Sequence, residues 1–141
     1  MKVYIIDNYK FNSAQDKTEI KNLVRSIFSQ LNLPKNTEIC ISFIDDIQMR
    51  ELSNSYRGID RTTDVLSFPQ DNKFLGDLVI SYPMAIKNAK RYKTKIKYEI
   101  QRLIVHGILH LNGYDHKKKK KREIMRAKER ELLDAIFELK I

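Results

Sequence analysis

The sequence predicts one α/β or α+β domain, with a mixed sheet of about four strands covered by about five helices. Three observations support this. Short runs rich in β-branched and aromatic residues recur along the chain, and between them lie segments whose apolar residues fall at three-and-four spacing. The connection between the third and fourth runs is short enough for antiparallel pairing, whereas the earlier runs are separated by whole helices. The 141 residues suit a single core, and no repeat or Pro/Gly/Ser-rich linker divides residues 1–141.

The first element is VYIID (Val3–Asp7), a short apolar run suited to a strand. SAQD (Ser13–Asp16) resembles a capping box, and behind it Ile20, Leu23, Val24, Ile27, Phe28 and Leu31 mark one helical face. Pro34 closes that unit, and Glu38–Ile44 reads as a second strand. Asp45 or Asp46 then caps a short helix to about Tyr56, with Ile47 and Leu52 expected inward.

The loop YRGIDRTTDVLSFP leads into a strand at Asp64–Phe68, and LGDLVISYP (Leu75–Pro83) is the fourth strand. Pro83 suits the first turn of the next helix, through about Tyr92. Thr94 is a candidate cap for a helix from about Ile96 to Leu111. The segment Lys118–Leu139 aligns Ile124, Leu132, Ala135, Ile136 and Leu139 as the stripe of a final helix.

Composition narrows the function. With 27 Lys+Arg against 18 Asp+Glu the formal net charge is +9, which favours polyanions, nucleic acid above all, although a lysine-rich proteome gives the same surplus. Cys40 is the one cysteine, expected as a buried, inert thiol, so no intramolecular disulfide forms. No apolar stretch approaches the about 18–20 residues of a membrane span, and the start of the chain lacks a signal-peptide run. A cytoplasmic location with no membrane partner is the expectation.

All three histidines fall in HGILHLNGYDH, residues 106 to 116. His106 and His110 are one helical turn apart on a helix apolar nearly all round in its second half, as a buried central helix is. Gly107 costs about 1 kcal/mol relative to Ala, so a neighbouring backbone or a ligand is expected to need the room. Gly113 suits a left-handed helix end that turns Tyr114, Asp115 and His116 back past the two helical rings. His-x3-His-x5-His therefore predicts three converging nitrogens, a metal site with zinc as the preferred ion and nickel also chemically possible. With no cysteine nearby, water is the expected fourth ligand, as in catalytic sites. The alternative is three hydrogen-bonded core histidines, each costing about 1–3 kcal/mol if left unpaired.

The spacing matches the extended zinc-protease pattern except at Gly107, where a protease carries its general-base glutamate. Asp77 or Asp115 are the candidate substitutes. Together with NSYRGIDRTTDVLSFP (Asn54–Pro69) and LGDLVIS (Leu75–Ser81), the histidine window resembles the YbeY family of bacterial endoribonucleases, in the family's order and without departure in these blocks.

That resemblance implies one metal-dependent hydrolase domain, a zinc-dependent nuclease for single-stranded RNA. It also implies roles in small-subunit ribosomal RNA 3′-end maturation and ribosome quality control. It assigns His106, His110 and His116 as ligands of one zinc ion per chain, and Arg57 as the functional arginine, engaging a phosphate. From the residues alone, Arg57 is equally suited to a salt bridge with Asp60 or Asp64. Asp115 is expected to orient an imidazole N–H. Lys117, Lys118 and Lys119, opening the run KKKKKR, are expected on the RNA backbone, against a solvated helix start. Tyr56 and Tyr114 are candidates for stacking on bases, while Phe68 better suits core packing. Two other classes stay open: a ribosome-associated RNA-binding factor with a mainly structural zinc, and a metallopeptidase.

Overall fold

The structure, a computed structural model, describes residues 1–11 and 14–138. Its elements run β1 (Lys2–Ile6), α1 (Ala14–Gln30), β2 (Glu38–Ile44), α2 (Asp46–Arg57), β3 (Val65–Pro69), β4 (Phe74–Ser81), α3 (Tyr82–Arg91), α4 (Ile96–Leu111) and α5 (Lys119–Glu138). The sheet order is β1-β2-β4-β3. β1 and β4 both pair parallel to β2, and β3 pairs antiparallel to β4. The predicted mixed α+β architecture is thus the one observed.

Alternation along the strands divides the residues between two faces. Ile39, Ile41 and Phe43 of β2 and Leu78 and Ile80 of β4 are fully or nearly fully buried in one core with Val24, Ile27, Leu103, Ile104 and Ile108. α1 and α4 cover this face. Ser67 of β3 points the same way and its hydroxyl donates to the Gly107 carbonyl of α4 at 3.4 Å. Its neighbour Phe68 points oppositely and meets Tyr56 of α2 edge-on, with ring centroids 5.1 Å apart. The edge strand β3 is therefore flanked by α4 on one face and the end of α2 on the other.

Several expected details differ. Asp45 is the cap of α2, its Oδ1 accepting from Gln48 N at 2.8 Å, but Ile47 is 71% exposed and Leu52 only half-buried. Met49 and Ser53, four apart, take the inward positions. β4 stops at Ser81, whose hydroxyl accepts from Met84 N and caps α3, so the strand ends before the expected Pro83, while Pro83 lies in the first turn of the helix as the sequence predicts. Lys95 rather than Thr94 is the cap residue of α4, and it makes no side-chain capping bond.

On α5, Ile124 is exposed, and the buried stripe is Met125, Leu132 and Ile136. Leu31 packs half-buried just beyond α1 as expected. Ser13 of the capping box and Leu139 lie outside the described residues. No helix among the described residues is long and apolar enough to cross a membrane.

Candidate metal centre

α4 is buried along most of its length, and the two imidazoles sit where its flank reaches solvent. Gly107 lies between them against the sheet. A Cβ there would fall 2.4 Å from Leu78 Cδ2 and 3.3 Å from its Cγ. The room that glycine leaves is taken by a core side chain, neither by a backbone nor by a ligand. Its value is to bring α4, and with it both rings, close onto β4 and β3.

The helix ends as the sequence predicts. Gly113 has φ +95, its N–H donates to His110 O at 3.1 Å and that of Tyr114 to Leu109 O at 3.0 Å. This is a Schellman ending, and the left-handed step favours glycine. The chain doubles back and Tyr114 packs half-buried against the core. Asp115 Oδ1 accepts from Lys117 N at 2.9 Å and so tightens the turn that carries His116. That bond to Lys117 lowers the Asp115 carboxyl from its usual range more than any other influence.

The three rings meet. Centroids lie 4.9 Å apart for His106 and His110, 5.5 Å for His106 and His116, and 4.6 Å for His110 and His116. One nitrogen from each falls within 4.8 Å of the others, and His110 Nε2 is 2.6 Å from His116 Nδ1. Three nitrogens held at about 2.0–2.1 Å by one tetrahedral zinc stand about 3.3 Å apart, between those two observed spacings. Burial, and then the neighbouring His106 and His116 rings, push the His110 pKa down, which favours the neutral ligand form. The donor set fits a divalent ion of borderline softness.

The carboxylate that holds a ring comes from a residue the sequence reading missed. Glu129 Oε1 of α5 lies 2.6 Å from His106 Nδ1, and both side chains are largely buried. An ionised carboxylate only accepts, so neutral His106 carries its proton on Nδ1 and leaves the Nε2 lone pair free for a metal. The signal was present: Met125, Glu129, Leu132 and Ile136 fall on one helical stripe, an acid among core positions. Behind Glu129 stands Arg102, bonded to the buried Glu99 at 2.6 and 3.1 Å and 3.8 Å from Asp64. Asn88 bridges those two acids.

The remaining candidates are dispersed. Arg57, the last residue of α2, is exposed, and its side chain makes no ion pair or hydrogen bond among the described residues. Asp60 pairs with Arg50 and Asp64 with Asn88 and Arg102, so neither supplies the salt bridge considered for Arg57. Adjacent Tyr56, 69% exposed, rests on Phe68. Lys117, Lys118 and Lys119 are exposed immediately after His116. Asp77 lies beside Leu78 and so points to the α2 face, away from the histidines, with Cys40 as its partner across the sheet. Cys40 is buried, and burial pushes its thiol pKa up, the inert behaviour expected.

A family model described as Endoribonuclease YbeY matches residues 5–137, nearly the whole chain. The chain belongs to the YbeY family. Among its relatives named Endoribonuclease YbeY, that of Persephonella marina is 43% identical over 130 residues, spanning 86% of this chain and 82% of its own length. That of Sulfurihydrogenibium is 42% identical over 118 residues, spanning 79% and 77%. That of Geobacillus thermodenitrificans is 33% identical with 94% of each chain covered. The solution structure of TM1509 from Thermotoga maritima shares the YbeY chain's fold, with a TM-score of 0.64 at 24% identity over 96% of this chain and 92% of its own.

Proposed function

We propose that this YbeY protein is a zinc-dependent endoribonuclease that hydrolyses phosphodiesters of single-stranded RNA. Its place is in ribosomal RNA processing in the cytoplasm: maturation of the small-subunit RNA 3′ end and ribosome quality control, with the small ribosomal subunit as partner. The observation that carries this reading is the convergence of His106, His110 and His116, with Glu129 on the far nitrogen of His106, in a chain of this family. His106 through Nε2, His110 through Nε2 and His116 through Nδ1 are the ligands proposed for one ion. Zinc bound there supplies Lewis acidity toward an anionic phosphate.

Around that centre the chain's own groups divide the work. A phosphodiester already carries charge, so its hydrolysis needs neutralisation more than a strong base. Arg57, whose side chain has no partner among the described residues and whose planar fork suits paired phosphate oxygens, is the group proposed to supply it. Lys117, Lys118 and Lys119 extend the positive field from the ligand turn, giving salt-dependent binding of the RNA backbone. Asp115 holds the turn and Glu129 the ring, so each acts on RNA through a histidine.

The test uses full-length protein with a single-stranded RNA and a casein substrate, with and without chelator. RNA cleavage that chelator removes and zinc restores, and that identically purified His110→Ala lacks, is the expected result. RNA bound but left intact would replace the nuclease with a binding factor. Casein hydrolysis would replace it with a peptidase.

A further inference from the structure

The ligand pair belongs to a longer stripe. Counting back by fours from His110 and His106 gives Arg102 and Tyr98, on one flank of α4, with Tyr98 about 12 Å before His106 along the axis. At that end the α3–α4 turn exposes six successive residues, Lys90-Arg91-Tyr92-Lys93-Thr94-Lys95. A cleft of 420 Å³ opens beside them between Tyr92 and Tyr98, with Gln101 and Arg102 on its α4 side and Leu133 contributed by α5.

The turn is built against its own stability. Lys93 has φ +54, the left-handed position after α3 where glycine is the unstrained choice. Lys95 occupies the cap of α4 without a capping bond, and Lys97 follows in the first turn, so positive charge collects at the positive end of the helix dipole. Lys87 and Lys97, at the borders, pair with Asp46 and Glu19. Lys90, Arg91, Lys93 and Lys95 have no carboxylate partner among the described residues. A left-handed lysine, an unbonded cap and four basic side chains without a carboxylate partner among the described residues together mark a surface suited to an external anion.

The cleft itself asks for something neutral. Arg102 is committed to Glu99 by two bonds, with Asp64 nearby, so no free cation lies on its floor. Tyr92 and Tyr98 supply its aromatic surface, beside Thr94, Glu99 and Leu133; Tyr92 is 60% exposed, and Arg91 stands 5.7 Å from its ring centroid. With its charged lining residues Glu99 and Arg102 paired to each other and cations at the rim, the pocket matches a nucleobase with phosphates on either side.

We propose that the Tyr92–Tyr98 cleft and the Lys90–Lys95 turn form a second RNA subsite, which takes one unpaired nucleotide of the strand held at the metal centre. The base enters between the tyrosines and the flanking phosphates lie on Lys90, Lys93 and Lys95. A paired base keeps its faces inside the duplex, so this subsite selects unpaired RNA. The inference rests on the reading of the histidine centre as an RNA site and deepens it, adding a hold about 12 Å along the same stripe.

The test is fluorescence anisotropy with zinc-loaded full-length protein and a labelled 2′-O-methyl strand, unpaired or closed into a stem, its integrity checked on a gel. Tyr92→Ala is expected to weaken the unpaired strand about 5- to 100-fold while leaving the stem unchanged. Reversing Lys90, Arg91, Lys93 and Lys95 to glutamate is expected to reduce the slope of log affinity against log salt by up to about 3. Zinc content and melting temperature report that both variants are folded.

Unchanged unpaired binding in Tyr92→Ala overturns the subsite. So does equal weakening of strand and stem by the charge reversal, or competition by polyglutamate as effective as by RNA. The two readings fail separately. Tyr92-dependent binding by a protein that never cleaves RNA removes the nuclease and keeps the subsite. Wild-type affinity and cleavage in Tyr92→Ala do the opposite.

Discussion

Replacing Glu129 tests whether a residue that touches no substrate governs the metal centre. Its Oε1 meets His106 Nδ1 at 2.6 Å between α5 and α4, with the two side chains 16% and 25% exposed, so water competes weakly for the contact. Glu129→Ala removes the acceptor, and the ring is then free to place its proton on Nε2, the nitrogen proposed for the metal. Outer partners of this kind sustain about 10- to 100-fold in metal affinity, or about 1.4 to 2.8 kcal/mol of binding at 1.4 per decade. Glu129→Gln keeps an acceptor oxygen but loses its charge, and a smaller loss is expected. Zinc affinity is read by competition with a chromophoric chelator. Nitrogen-15 NMR of the metal-free protein at neutral pH reads the ring directly: Nδ1 protonated in the wild type, a mixture in Glu129→Ala. Zinc affinity within twofold of wild type in both variants, with His106 still protonated on Nδ1, would refute the reasoning.

Arg57→Ala is expected to leave the melting temperature and zinc affinity almost unchanged, since the side chain is exposed and has no partner among the described residues, while RNA cleavage falls by at least tenfold; a comparable loss of stability would return Arg57 to a structural role. Gly107→Ala drives a methyl group to 2.4 Å from Leu78 Cδ2. Overpacking of about 1–3 kcal/mol outweighs up to about 1 kcal/mol of helix propensity, so the thermal midpoint is expected to drop by several degrees. Acidification should weaken the metal-free fold. His110 has a folded pKa below the ordinary imidazole value of about 6.5, so the unfolded chain takes up its proton first. The stability this contributes is complete above about pH 6.5 and is lost as pH falls through the folded value. Melting of metal-free protein at pH 8 and pH 5.5 measures it, and an equal or higher midpoint at pH 5.5 would contradict the assignment.

How far the sequence could be read depended on the range of the interaction. The α1 stripe, the limits of β2 and the glycine ending after His110 follow from periodicity and turn chemistry within a few residues, and each reappears in the structure. Short or one-sided helices were less legible. In α2 the inward pair is Met49 and Ser53 rather than Ile47 and Leu52, because β4 and β3 fix which face packs and a small hydroxyl residue fits against the sheet. On α5, packing against α4 and α1 buries Met125 and leaves Ile124 exposed.

The centre divides along the same line. Its three histidines lie within eleven residues, and helix geometry with one left-handed turn nearly suffices to gather them, so the sequence by itself determined which three rings converge. Glu129 is 23 positions from His106 and Arg102 meets Asp64 across 38, and no local period predicts either pairing. The docking of α5 on α4 decided which carboxylate orients a ring and left Asp115 to its turn. Local spacing sets which atoms a short segment presents, while burial of apolar faces, a property of the whole chain, sets which distant segments meet.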